Sequence, residues 1–200
     1  PGGDTVTTFD ADGRVLAQDC VSALQVPPQD NSSMDGYAVR SADVGAAGTV
    51  LPITLPVSQR IAAGSAGEPL APGTAARIFT GAPVPVGADA ILMQEDCEAL
   101  AGDGLGQVRI NTVPPVGQWI RRAGEDITRG AVVLAAGTRL TPAELGLAAS
   151  IGLHQLSVAR RPRVALFSTG DELVMPGEVP PAQMRPGAIY NSNRFFLRAM

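Results

Sequence analysis

The chain has no lysine. All fifteen of its basic residues are arginine, so any anion held by a side-chain cation must be held by a planar guanidinium, which suits oxyanions and phosphates. A GC-rich coding bias is the plainer origin of that usage, but the physical consequence stands either way. Histidine is nearly absent too: His154 is the only one, which argues against a multi-histidine metal site and against a Ser-His-Asp triad. The two cysteines, Cys20 and Cys97, have neither C-x-x-C nor metal-ligand spacing. They read as small buried hydrophobes in a reducing compartment. Aromatic residues make up 4% of the chain and the net charge is -4, so the basic stripe and stacking platforms of a nucleic-acid binder are missing. No apolar run approaches the ~18 residues of a membrane span. The opening Pro1-Gly2-Gly3 has no Met and no charged-then-apolar leader. The expectation is a soluble, cytoplasmic protein with neither nucleic acid nor membrane as a partner.

What is present is 45% hydrophobic residues, enough for real cores in one or two domains. Residues 6–23 read as turn and strand around Asp10-Ala11-Asp12-Gly13. From Val26 to about Asp126, short β-like runs alternate with Gly and Pro: Tyr37-Ala38-Val39, Leu51 to Leu55, Ala75 to Phe79, Ala90 to Met93 and Val108 to Ile110. That spacing predicts a compact β barrel or sandwich. Gly102 to Gly106 is expected to be a hairpin tip, since no helix follows it as a nucleotide loop would require. Thr141-Pro142-Ala143-Glu144 is a helix start with Thr as N-cap and Glu three residues on, and Gly152 is its stop. His154 then reads as a satisfied residue at a strand edge. Beyond Arg160-Arg161-Pro162, the run Arg163 to Ser168 is of the kind buried in a parallel sheet, and predicts the start of a new domain. Residues 190–200 read as a capped helix with an unpartnered apolar face. About forty residues do not complete an α/β layer, so the chain is expected to be a fragment.

The most informative stretch is Pro27 to Val39. It packs two Asp, an Asn, two Ser and a Gly between strand-like flanks, where an ordinary connection needs about two to six residues. The prolines fix its approach, the Asx and Ser side chains bond their own backbone, and Gly36 permits a tight exit. Asp35 is thereby held in a set place, although a water-facing Asx turn is the plainer use of any one Asp. Asp126, after Arg-Arg-Ala-Gly-Glu, and Glu172, after the apolar run, are constrained in the same way. Carboxylates are hard oxygen ligands, and Mg2+ takes one or two of them with water and substrate phosphate. Ser168, Thr169 and Gly170 fall at the carboxyl end of the predicted strand, where open α/β sheets bind ligands. Glu172 is equally a helix cap or surface ion pair. Arg121 and Arg122 clamp a phosphate or pair with Glu125 and Asp126. Thr80 offers its hydroxyl and backbone N–H to an anion or to a turn. Trp119 and Tyr37 adjoin these segments, with packing as their more common use.

The stretch from Pro27 to Val39 resembles the most recognisable segment of the MoeA family, the molybdopterin molybdenumtransferases related to the gephyrin E domain. Five further segments agree in order: Arg77 to Pro85, Met93-Gln94-Glu95, Ile120 to Ile127, Ala136 to Leu140 and Val164 to Leu173. The resemblance implies a mixed α/β and β fold. Residues 4–25 and 128–158 would form a discontinuous, elongated α+β outer domain and residues 26–127 a mostly β domain inserted in it. Residues 159–200 would open a three-layer α/β molybdopterin-binding domain. Residue by residue, Asp35, Thr80, Arg121, Asp126 and Glu172 match positions lining the family's active-site cleft, shared between the subunits of a homodimer. The activity implied is cleavage of adenylylated molybdopterin, with Mg2+ as cofactor and molybdate as substrate, releasing AMP. A molybdopterin adenylyltransferase would be the upstream partner. The family's Lys, Asp and Pro residues that hold pterin phosphate and molybdate have no counterpart here, so the chain is expected to be inactive alone. A dimerisation or scaffold module of gephyrin type is the alternative. A stand-alone β domain for sugars or oligonucleotides is disfavoured by charge and aromatic content.

Overall fold

The structure, a computed structural model, describes residues 3–45, 50–101 and 104–200. It divides into two units, Pro1–Ala159 and Arg160–Met200. The fold is mixed but mostly β.

In the first unit the strands are β1 (Gly3–Thr7), β2 (Cys20–Val21), β3 (Asn31–Ser32), β4 (Gly36–Val39), β5 (Ile53–Ile61), β6 (Ala75–Ile78), β7 (Ala90–Met93), β8 (Cys97–Leu100), β9 (Gln107–Ile110), β10 (Ile120–Arg121), β11 (Val132–Leu134) and β12 (Gln155–Ala159). Two helices accompany them, α1 (Ser41–Val44) and α2 (Pro142–Ser150). Strands from the two ends of the unit meet: β1 pairs antiparallel with β12 and β2 with β11. Beneath them Leu16, Cys20, Leu134, Leu140, Ala148, Leu156 and Val158 form one buried cluster. Helix α2 begins as its sequence dictates. The Thr141 side chain and the Glu144 carboxylate satisfy each other's backbone N–H groups in a capping box, with Pro142 in the first turn.

The middle of the unit is a six-stranded sheet in the order β7-β4-β6-β5-β9-β8. Among the described residues this order is linear, so the barrel that the strand spacing predicts is not closed. Alternation assigns the two faces. Tyr37, Val39, Ala75, Ala90, Leu92, Val108 and Ile110 pack on one side, and Ala38, Ala76, Ile78 and Ile91 on the other. Strand β5 holds the sheet together: Ile53–Pro56 pair antiparallel with β9, and Val57–Ile61 pair parallel with β6. A register shift between Val57 and Gln59 turns Ile61 into the second face while Val57 stays on the first. Strands β8 and β9 form the expected hairpin. Gly102 and Asp103, at the tip predicted for it, lie outside the described residues.

The second unit carries two short parallel strands, β13 (Leu173–Val174) and β14 (Ile189–Tyr190), and helix α3 (Ser192–Ala199). The Asn191 side chain caps α3 by accepting from the Arg194 N–H at 3.1 Å. Its apolar residues Phe195, Phe196 and Leu197 are exposed, as the sequence predicts. The strand expected over residues 163–168 is corrected: the segment has no strand pairing, and Val164 and Phe167 are 83% and 85% exposed. Such an apolar run is buried only when strands flank it and helices cover both faces. This unit has two two-residue strands, both later in the chain.

Candidate functional site

Backbone hydrogen bonds lace three of the motif segments together around residues 26–35. Val26 exchanges both bonds with Ile127, and its carbonyl also accepts from the Asp126 N–H. Gly124 donates to Pro27. On the other flank Val84 N–H donates to the Asp30 carbonyl, Ser32 N–H to Ala82, and Gly81 N–H to Ser32. Strand β3 pairs antiparallel with β10, setting Asn31 opposite Arg121 and Ser32 opposite Ile120. The loop therefore lies between residues 79–84 and residues 119–127. Its turn is closed internally by Ser32, whose buried hydroxyl donates to the Met34 carbonyl at 2.6 Å and accepts from the Met34 N–H.

Asp35 enters β4 at Gly36, where any Cβ would run into the Leu92 carbonyl oxygen of β7. Only glycine allows the two strands this approach. The Asp35 Oδ1 atom accepts from both the backbone N–H and the hydroxyl of Thr80, each at 2.8 Å. These bonds, the backbone one foremost, hold the Asp35 carboxyl below the usual carboxylate range, helped by the Arg77 charge. Oδ2 carries no hydrogen bond among the described residues. Thr80 is thus committed to Asp35, a use that the sequence reading did not include.

Arg121, at the end of β10, and Asp126, five positions on, form an ion pair that raises the Arg121 pKa. Both side chains are nearly half exposed. Arg122 does not pair with Asp126. Its backbone N–H donates to Glu125 Oε2 at 2.9 Å, while its guanidinium reaches Asp30 Oδ2 at 2.5 Å. Asp30 Oδ1 accepts from the Ala123 N–H at 2.8 Å, and this bond is the main cause of a lowered Asp30 pKa. Asp30 therefore joins all three segments, its carbonyl to Val84 and its carboxylate to the Arg122-Ala123 turn. Sequence reasoning missed it, because its partners lie more than ninety positions away. Two further features belong to the same loops. Trp119 has a positive φ of 55°, which a bulky residue seldom adopts, and its carbonyl accepts from Ser33 N–H. The expectation that Asn31 bonds its own backbone is corrected for its oxygen: the buried Asn31 Oδ1 has no hydrogen-bond partner among the described residues, and Asn31 lines a cleft of about 330 Å³ with Pro28, Gln29, Gly64, Ser65 and Gly81.

The structure thus brings Asp35 together with Thr80, and Arg121 together with Asp126, in the first unit. Ser168, Thr169, Gly170 and Glu172 belong to the second. There the Glu172 carboxylate folds over Gly170, so closely that a Cβ at Gly170 would meet it. The Glu172 carbonyl accepts from Ile189 N–H at 2.8 Å. Among the described residues no group of three His, Cys, Asp or Glu side chains is arranged to hold a metal ion. A cavity of about 670 Å³ lies elsewhere in the first unit, against α2, with mostly apolar walls that include Phe9, Leu145, Leu153 and His154. The titratable groups of the laced loops make those loops the better candidate. No described helix is long and apolar enough to cross a membrane.

A two-domain N-terminal region is the class that this arrangement matches: residues 2–152 fit the family model described as the MoeA N-terminal region, domains I and II. The chain belongs to the MoeA family. It is 46% identical over 196 residues to molybdopterin molybdenumtransferase 2 of Mycobacterium tuberculosis, covering 98% of this chain and 46% of that protein. It is 41% identical to the molybdopterin molybdenumtransferase of Synechococcus elongatus, covering 97% and 47%. A crystal structure of the molybdopterin biosynthesis MoeA protein from Pyrococcus horikoshii OT3 superposes with a TM-score of 0.87 at 33% identity, over 98% of this chain and 51% of that one. The chain spans about half the length of the relatives it matches.

Proposed function

We propose that this chain supplies the N-terminal part of a molybdopterin molybdenumtransferase acting in molybdenum cofactor biosynthesis. On this reading the whole enzyme inserts molybdate into adenylylated molybdopterin and releases AMP, and the 200 residues alone are inactive. Residues 4–25 and 128–158 are its outer domain, residues 26–127 the inserted β domain and residues 159–200 the start of the α/β domain. The setting is cytoplasmic, the assembly a homodimer sharing its sites, and a molybdopterin adenylyltransferase supplies the substrate. The observation that carries the reading is the lacing of the Asp35, Thr80 and Arg121–Asp126 segments by the Pro27–Ser33 loop, together with relatives that bear the transferase name over the same residues.

In this reading Thr80 orients Asp35, and Asp126 orients Arg121, whose guanidinium neutralises charge on an oxyanion. Placement and electrostatics suffice, with no covalent nucleophile. Asp35 Oδ2 and Asp126 Oδ1, carboxylate oxygens without a hydrogen bond among the described residues, are the atoms that would hold Mg2+, since one or two such ligands suit the ion. When bound it would neutralise the phosphoanhydride. On the family resemblance alone, Glu172 is proposed as a third acid, and Ser168, Thr169 and Gly170 as substrate contacts. The test is conversion of adenylylated molybdopterin to molybdenum cofactor by the full-length protein. Asp35→Ala and Arg121→Ala should each lower the rate by about 10²-fold or more. Wild-type rates in both variants would refute the assignment.

A further inference from the structure

A second charged feature lies on the β sheet, apart from the ion-paired loops. Arg60 of β5 and Arg77 of β6 are direct partners in the parallel ladder. Like charges placed opposite each other on a sheet repel. Among the described residues neither guanidinium has a carboxylate within 4.0 Å, whereas Arg14, Arg40, Arg109, Arg121 and Arg122 all do. These two adjacent cations thus have no direct carboxylate partner, although the Arg77 charge also acts on Asp35 from farther away.

Both are held in place by neutral groups. Arg60 stacks on the Phe79 ring at 4.4 Å and Arg77 on the same ring at 4.6 Å. Arg77 also lies over Tyr37, its cross-strand neighbour on β4, at 5.2 Å. Its Nη1 donates to the Gly36 carbonyl at 2.8 Å and its Nη2 to Gln94 Oε1 at 2.5 Å. Ring faces and carbonyls orient a guanidinium without cancelling its charge. The two arginines, with Tyr37, Leu100, Leu105 and Gln107, line one cleft of about 230 Å³. A tetrahedral oxyanion matches the fork geometry of paired guanidiniums, and its charge would relieve their repulsion.

We infer that Arg60 and Arg77 form a binding site for a phosphate-class oxyanion in the cleft beside the β8–β9 hairpin. The site does not depend on the transferase reading, which uses neither residue. Its ligand is a free inorganic oxyanion or the phosphate of a nucleotide, and the two are distinguished by comparing inorganic phosphate with AMP.

The experiment is titration of the isotope-labelled 200-residue chain at low ionic strength, following backbone amide shifts with inorganic phosphate and, separately, with AMP. Saturable shifts should centre on Arg60, Arg77 and Gln107, with dissociation constants of about 1–10 mM. Arg60→Gln should weaken binding by about tenfold, and Arg60→Lys, which keeps the charge but loses the fork, by about threefold. Removing a repelled charge should leave the melting temperature unchanged or raised, which loss of a merely structural arginine would not. Equal affinities for the two probes would identify a free anion, and AMP binding about fivefold tighter a nucleotide phosphate. The inference is overturned if neither probe saturates below about 50 mM. It is also overturned if the shifts centre on Arg121 and Asp126, or if binding is unaltered in both Arg60 variants.

Discussion

Asp35 and Thr80, forty-five positions apart, meet through one carboxylate oxygen that takes both the N–H and the hydroxyl of the threonine. One acid is thereby fixed by one residue of a neighbouring motif segment, with its second oxygen left for other chemistry.

Thr80→Val keeps the shape and the backbone bond but deletes the hydroxyl bond. The Asp35 carboxyl, lowered chiefly by these Thr80 bonds, should titrate at higher pH in the variant than in the native chain. Carboxyl carbon shifts against pH measure this directly. An unchanged Asp35 titration would mean that the hydroxyl bond is not formed in solution.

Gly36→Ala drives a methyl group into the Leu92 carbonyl oxygen on β7. Backbone cannot yield as a side-chain tip can, so the substitution should cost about 3 kcal/mol of unfolding free energy. Denaturant unfolding would show it, and a loss well below about 1 kcal/mol would contradict the packing described for β4 and β7.

Asp30 gives a pH-dependent contribution whose sign follows from its lowered pKa. Its folded pKa lies below the unfolded 3.8, so its stabilisation is present above that value and lost as pH falls through the folded one. At pH 6 Asp30→Asn should be less stable than the native chain by under about 1 kcal/mol, a small effect because the pair is exposed. Below the folded pKa the difference should close. Melting temperatures of both proteins across this range test it.

The Cys97 thiol is pushed up to about 11, by burial first and by the Asp96 charge second. Thiolate is the reactive form, so at pH 8 native Cys97 should alkylate about two orders of magnitude more slowly than a free cysteine. Adding denaturant should abolish the protection, as mass spectrometry of iodoacetamide-treated protein would show.

Legibility of the fold tracked the range of the interactions involved. The α2 start was readable because Thr141 and Glu144 satisfy each other within one turn. Most strands of the central sheet were readable because alternation is local. Linear rather than closed strand order was not, since it turns on β5 changing partners at a bulge. Residues 163–168 were misread because an apolar run reports what it would bury against, and the second unit has no long strand to set beside it. For the candidate site, Asp35, Thr80, Arg121 and Asp126 were singled out through resemblance to a family. Their actual partners were not legible, and Asp30 was passed over because nothing near it in sequence marks its bonds to Arg122 and Ala123. The Arg60–Arg77 doublet was equally hidden, being a product of register between strands.

The mutual bonds of Val26 and Ile127 have an engineering consequence. A hundred residues leave and return through one rung, so a peptide of residues 26–127 would start and finish side by side. Its ends could be ligated into a ring, or the piece transplanted into a surface turn of an unrelated host, without stretching either molecule.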